Sequence, residues 1–170
     1  MKAGPASLHK PNQPSRDLVY PTMSLDAIRS LQIPKPDNCH IYLWTINHYL
    51  EHSFGIMREW GFTPSTTLVW AKDPMGRGLG GAYGICTEYL IFGRRGKLPA
   101  KERSFRNWWN HPRRGGHSVK PEFFYGLVEK VSPGPYLEIF ARKPRLGWTS
   151  IGNEITGNDI AVDLARLGKL

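Results

Sequence analysis

Four short stretches of this 170-residue chain hold residue types suited to chemistry. Lys72-Asp73-Pro74-Met75-Gly76-Arg77 opens a run to Gly84 that contains glycines 76, 78, 80, 81 and 84. Basic side chains at its start and glycines that let backbone approach a ligand suit a nucleotide or a splayed base, though loop chemistry alone equally fits a plain surface loop. Residues 103–117, RSFRNWWNHPRRGGH, interleave arginines with aromatic rings, the combination that neutralises phosphates and stacks on unpaired bases. His117-Ser118-Val119-Lys120-Pro121 stands where a helix begins, so Lys120 and free backbone N–H groups there can hold a carboxylate or phosphate; Ser118 and Pro121 fit an ordinary helix start just as well. Arg142 and, further on, Gly152-Asn153-Glu154 combine a guanidinium, a glycine, an amide and a carboxylate, which can read hydroxyls and a base edge or simply form a polar turn.

The elements that position these residues follow from hydrophobic pattern. Residues 39–46, 66–71, 87–92 and 136–141 are compact runs of strand length, rich in β-branched and aromatic residues. Ser24 caps a short helix carrying Leu25, Ile28 and Leu31. Asn47 caps a second, with Leu50, Phe54 and Met57 on one face and Gly61 as its stop. Pro121 starts a third, whose buried stripe is Phe124, Leu127, Val128 and Val131. A last helix near 158–168 shows Ile160, Leu164 and Leu167. Residues 93–118 read as basic and irregular. Helices alternating with strands apolar on both faces predict an α/β fold with a mainly parallel sheet and helices on both faces, its ligands bound beyond the carboxyl ends of the strands. Residues 1–19, polar and carrying three prolines, read as a disordered tail, and 20–170 as one domain.

Lys plus Arg number 23 against 14 Asp plus Glu, a net charge of +9 that makes a polyanion the expected partner. Cys39 and Cys86 each sit in an apolar stretch and read as buried reduced thiols, which suits a cytoplasmic protein; two cysteines do not make a disulfide scaffold or a zinc site. No apolar run approaches the roughly 20 residues that span a bilayer, and residues 1–19 lack the apolar core of a secretory signal.

In order along the chain, YPTMS at 20–24, IYLWTINHYL at 41–50, EWGF at 59–62, TTLVWAK at 66–72, Glu88, GRRG at 93–96, KPEFFYGLVEKVSPGP at 120–135, LEIFARKPRLGW at 137–148 and GNE at 152–154 together resemble the MT-A70 family of S-adenosylmethionine-dependent adenine-N6 methyltransferases, especially its small bacterial and phage members. The resemblance implies a Rossmann-like methyltransferase fold. It implies that Lys120, Arg142, Asn153 and Glu154 bind S-adenosylmethionine, with Lys120 at the methionine part and the Asn153–Glu154 pair at ribose and adenine. It also implies that the loop from Lys72, with Arg77, closes over the target adenine beside Glu88. With Arg94, Trp108, Arg113 and Arg114, these residues form the expected nucleic-acid surface, for DNA in preference to RNA.

The family's catalytic signature, Asp-Pro-Pro-Trp, does not occur in this chain. Adenine N6 is a poor nucleophile because its lone pair is delocalised into the ring; the signature's acid and prolyl carbonyl accept hydrogen bonds from the amine while the aromatic ring stacks on the base. Asn12-Gln13-Pro14-Ser15 and Asp73-Pro74 do not replace it, so no catalytic residue is assigned. Three readings follow: a DNA adenine-N6 methyltransferase that is truncated or split, a catalytically inactive nucleic-acid-binding subunit, or a degenerate remnant without present function. An incomplete sheet is expected to expose an edge to a partner subunit or to a second copy.

Overall fold

The structure is a computed structural model that describes residues 22–72, 82–113 and 119–168. Residues 1–19, Arg77 with most of the glycine-rich loop, and Arg114 lie outside the described residues. Helix α1 (Leu25–Arg29) starts as the sequence predicts, with Ser24 Oγ accepting the Ala27 N–H at 3.1 Å. Strand β1 (Cys39–Thr45) leads through a 3-10 turn at Asn47–Tyr49 into α2 (Leu50–Glu59). Asn47 does not cap that helix; the 3-10 turn occupies the place, and the Ser53 hydroxyl reaches back to within 2.8 Å of the Tyr49 carbonyl and of Thr45 Oγ1. At the other end Gly61 takes a left-handed φ of +84°, and the Gly61 and Phe62 amides donate to Arg58 and Met57 carbonyls, so the helix stops where its glycine dictates.

Strands β2 (Thr63–Ala71), β3 (Thr87–Arg95) and β4 (Trp108–Asn110) follow, then α3 (Glu122–Val131), β5 (Tyr136–Ile139), β6 (Trp148–Ile151), α4 (Asn153–Thr156) and α5 (Ile160–Leu167). The larger sheet has the order β1-β3-β2-β4, and β5 and β6 form a separate two-stranded sheet. The fold is mixed α/β, but the mainly parallel sheet is corrected: β3 is antiparallel to both β1 and β2, and only the β2–β4 and β5–β6 pairings are parallel. The misreading has a physical cause. Strands apolar on both faces report only that both faces are covered, which holds here with β3 reversed between two strands of common direction. β3 also runs past residue 92 to Arg95, β4 lies inside the stretch read as irregular, and the fourth predicted strand ends at Ile139.

Register decides which face each residue takes. Tyr42 pairs with Phe92, Trp44 and Leu68 with Leu90, and Trp70 with Glu88, so these side chains share one face with Trp109 of β4. Phe124 and Leu127 of α3 cover that face, as their spacing predicts. On the opposite face Ile41 and Leu43 pack into a cluster formed by Ile56 of α2 and Trp60 just past its end with Ile160 and Leu164 of α5. Leu137, Ile139 and Ile151 join the same cluster, which is how the two-stranded sheet is held. Burying side chains such as Trp70, Met57, Leu90 and Ile91 contributes roughly 1.5–3 kcal/mol each for the aliphatic ones. The thiols are less enclosed than the sequence suggested: Cys86 is exposed and Cys39 half-buried. Among the described residues, no helix is long and apolar enough to cross a membrane.

Phe124 meets Trp44, Trp70, Trp109 and Phe123 edge-on or tilted, at ring separations of 5.0–6.1 Å. Phe124→Ala is expected to cost about 3–5 kcal/mol, read as a lowered urea midpoint by tryptophan fluorescence.

Candidate active site

Because β1, β2 and β4 share one direction and β3 opposes it, the carboxyl ends of three strands meet the amino end of β3 at one end of the larger sheet. The Lys72 amide donates to the Cys86 carbonyl at 3.0 Å and the His111 amide to the Ala71 carbonyl at 2.9 Å, closing the ends of these strands together. Glu88, the second residue of β3, therefore stands beside Trp70, on the face that α3 covers.

Glu88 is 9 % exposed, and both of its oxygens are engaged. Lys72 Nζ lies 2.6 Å from Oε1, and Lys120 Nζ donates to Oε2. The two ammonium groups also sit over indole faces, Lys72 at 5.2 Å from the Trp70 ring and Lys120 at 5.0 Å from that of Trp44. Burial pushes the Glu88 carboxyl up, but the Lys120 charge and hydrogen bond, with those of Lys72, outweigh it and hold the group below its usual range. Two cations around one carboxylate leave a net charge of +1, so the cluster can accept a further anion. An ionised carboxylate saturated by two ammonium groups is a poor base; its work is to fix where the lysines point.

A second group of expected residues gathers past β5. Arg142 Nε donates to Glu154 Oε1 at 2.7 Å, and Asn153 lies between Glu154 and Gly152 in the chain. Gly152, at φ +155°, packs so closely on the backbone that an added Cβ would stand 2.7 Å from the Ala141 carbonyl oxygen. A residue without a side chain is what lets the Gly152-Asn153-Glu154 turn lie against the end of β5. Phe140, just before, has φ +65° and is 48 % exposed, a strained placement for an aromatic residue.

The structure thus joins Lys72, Glu88 and Lys120 into one cluster and pairs Arg142 with Glu154, with Asn153 exposed next to Glu154 in the chain. The remaining expected residues are dispersed. Arg94 is at the opposite end of β3 and Arg113 is exposed beyond His111. Trp108 is 53 % exposed, with the Arg106 guanidinium 5.8 Å from its ring. Its neighbour Trp109 is buried against Phe124, because alternation along β4 turns one ring out and the other in. Sequence reasoning missed Trp44 and Trp70 as the floor of the Glu88 cluster. Each lies in a recognised strand, but only the register shows that they share its face.

Glu88→Gln leaves two half-buried lysines without their counter-charge. We expect a loss of about 3 kcal/mol in urea unfolding at neutral pH. Since the folded carboxyl titrates below its ordinary value of 4.5, its contribution is complete above that pH and lost as pH falls through the folded value. The gap between wild type and variant should therefore shrink on acidification below about pH 4.5; a gap that does not depend on pH would show that the ion pairs do not stabilise the fold.

Comparison with known proteins addresses the family. The MT-A70 family model matches residues 4–154, beginning earlier than the segments from Tyr20 that carry the resemblance. The type II methyltransferase M.MunI of Mycoplasma sp is 31 % identical over 158 residues, covering 87 % of this chain and 65 % of that protein. The N(6)-adenosine-methyltransferase MT-A70-like protein of Drosophila melanogaster is 28 % identical over 152 residues, 83 % of this chain and 25 % of that protein. The human N(6)-adenosine-methyltransferase catalytic subunit METTL3 is 25 % identical over 152 residues, 83 % of this chain and 26 % of that protein. The chain spans less than two thirds of the length of M.MunI and about a quarter of the other two. With most of its length matched by the family model, and with its motifs in the family's order, the chain belongs to the MT-A70 methyltransferase family.

Proposed function

We propose that the chain is an S-adenosylmethionine-dependent adenine-N6 methyltransferase acting on DNA. The observation that carries this reading is the Lys72–Glu88–Lys120 cluster at the sheet end where β1, β2 and β4 finish. Its net positive charge suits the carboxylate of the cofactor's methionine part, with Lys120 as the nearer anchor. Arg142, Asn153 and Glu154 suit its nucleoside: the Asn153 amide both donates and accepts, Glu154 accepts from hydroxyls, and Arg142 holds Glu154 in place at 2.7 Å. S-adenosylmethionine, when bound, supplies an electrophilic methyl group.

The remaining side chains bind and orient the nucleic acid. Lys72 opens the loop over the target base, and Glu88 acts as a positioning residue that sets both lysines. Trp108 offers an exposed face for stacking, and Arg94 and Arg113 offer charge to phosphates, with Arg77 and Arg114 assigned the same task from the sequence. The Asp-Pro-Pro-Trp group that orients the adenine amine is not among these 170 residues, and on this reading it is supplied from outside them, by truncation or a split chain. The preference for DNA rests on the likeness to small bacterial and phage family members.

Isothermal titration of the full chain with S-adenosylmethionine should show one site, weakened at least tenfold by Arg142→Ala or Asn153→Ala without change in circular dichroism. An absence of heat would overturn the cofactor assignment. Transfer of labelled methyl groups, assayed with a chain carrying the signature strand added, should favour duplex DNA over RNA of the same sequence; the reverse preference would overturn the substrate.

A further inference from the structure

The two ends of β3 differ in what they hold. Glu88 and its lysines occupy one; the other opens on a cavity of about 800 Å³ whose wall includes Arg94, Arg95, Lys97, Arg103 and His40. Among the described residues, Arg94, Lys97 and Arg103 have no carboxylate within ion-pair distance. Arg95 has only the exposed Asp37, at 3.6 Å, and its Nε is buried without a hydrogen-bond partner. Four cations against one solvated acid make a strongly positive hollow.

The hollow is built rather than incidental. Asn38 Oδ1 accepts the Lys97 amide at 2.7 Å, and His40 is tied through its two ring nitrogens to Ser132 Oγ at 2.8 Å and to the Leu98 carbonyl at 3.1 Å. The Lys101 amide donates to the Val131 carbonyl at 2.8 Å, securing the wall to the end of α3. Gly61 admits the Arg95 guanidinium, since an added Cβ would lie 2.8 Å from Nη1. A smaller cavity shares Arg103 with the first and continues past the exposed Glu102 to Arg106, whose guanidinium lies over exposed Trp108. The charge therefore runs as a track toward β4, which pairs with the active end of β2.

We infer that this hollow is a second anchoring site, one that grips the phosphate backbone of the same nucleic acid at a distance from the reacting base. A single free phosphate would fill only a small part of about 800 Å³ and would leave the track from Arg94 to Arg106 unused. Arg94 lies six positions along β3 from Glu88, a span of about 20 Å. Along a strand of duplex that distance is about six nucleotides. The inference rests on the proposed function for the identity of the polymer, but binding can be read without turnover.

The test is fluorescence anisotropy of the full chain with labelled duplex DNA, about 30 base pairs in one probe and a short hairpin stem of about four base pairs, too short to span about 20 Å, in another, across a salt series. The triple variant Arg94→Ala, Lys97→Ala, Arg103→Ala should bind the long duplex at least tenfold more weakly at about 0.1 M salt, with its log–log salt slope reduced by about 2–3. The short duplex should bind wild type and variant within about twofold, and Arg94→Lys with Arg103→Lys should restore the long-duplex affinity, because a point charge suffices for a phosphate. Titration with S-adenosylmethionine should be unchanged in the triple variant, which excludes misfolding. Equal long-duplex affinity and slope in both proteins would overturn the inference while leaving the methyltransferase reading intact. Inorganic phosphate at about 1 mM abolishing the difference would assign the hollow to a small anion and overturn it too. The expected loss in a chain that never binds S-adenosylmethionine would sink the function and keep the anchor.

Discussion

A carboxylate buried between two ammonium groups constrains one end of this molecule. Glu88 is enclosed by an aromatic face, and the cost of removing its charge from water is offset by Lys120 and Lys72, which both reach it and hold its carboxyl below the usual range. The two lysines come from far apart in the chain, one closing β2 and one preceding α3, so the cluster forms only if β2, β3 and α3 are all in place. A register slip of a single residue in β3 would turn Glu88 to the other face and leave both ammonium groups over indole rings without a counter-ion. The polar cluster thus selects the pairing that the apolar residues alone would leave less sharply defined.

Much of this was legible in the sequence. Strands β1, β2, β3 and β5 stand within a few residues of the runs that predict them, because alternation and β-branching are local properties. Ser24 and Gly61 act as helix start and stop for the same reason. Strand direction was not legible. It depends on the connection between β2 and β3, and nothing in the apolar run of β3 says which way it points. The three-residue β4 was hidden inside a basic stretch, since a strand that short carries almost no periodicity.

The site was legible in pieces. Lys72 and Glu88 were singled out for the target base and Lys120 for the cofactor; that all three touch is a fact of register and of the approach of α3. Arg142 and Glu154 were named together and do pair. Nothing in the residue types of 93–103 set the far-end hollow apart from an ordinary basic loop, because its walls come from β1, β3 and the end of α3.

Helix α3 packs against both sheets. One side of it carries Phe124 and Leu127 into the larger sheet, while Tyr125 donates to Glu138 of β5 at 2.5 Å and Glu129 accepts from the Trp148 indole of β6 at 2.7 Å. Arg145, from the connection between those strands, stacks 4.6 Å from the Tyr125 ring and pairs with Glu122 and Glu129. The two sheets share no backbone pairing, so this helix and the α5 cluster are what couple them. Because each residue advances a helix by about 100°, inserting or deleting one within Glu122–Glu129 would turn the residues on its two sides out of phase, so that the contacts with the larger sheet and those with β5 and β6 could not all be kept. Homologous chains should therefore vary the loops on either side freely and keep the residue count of this span constant.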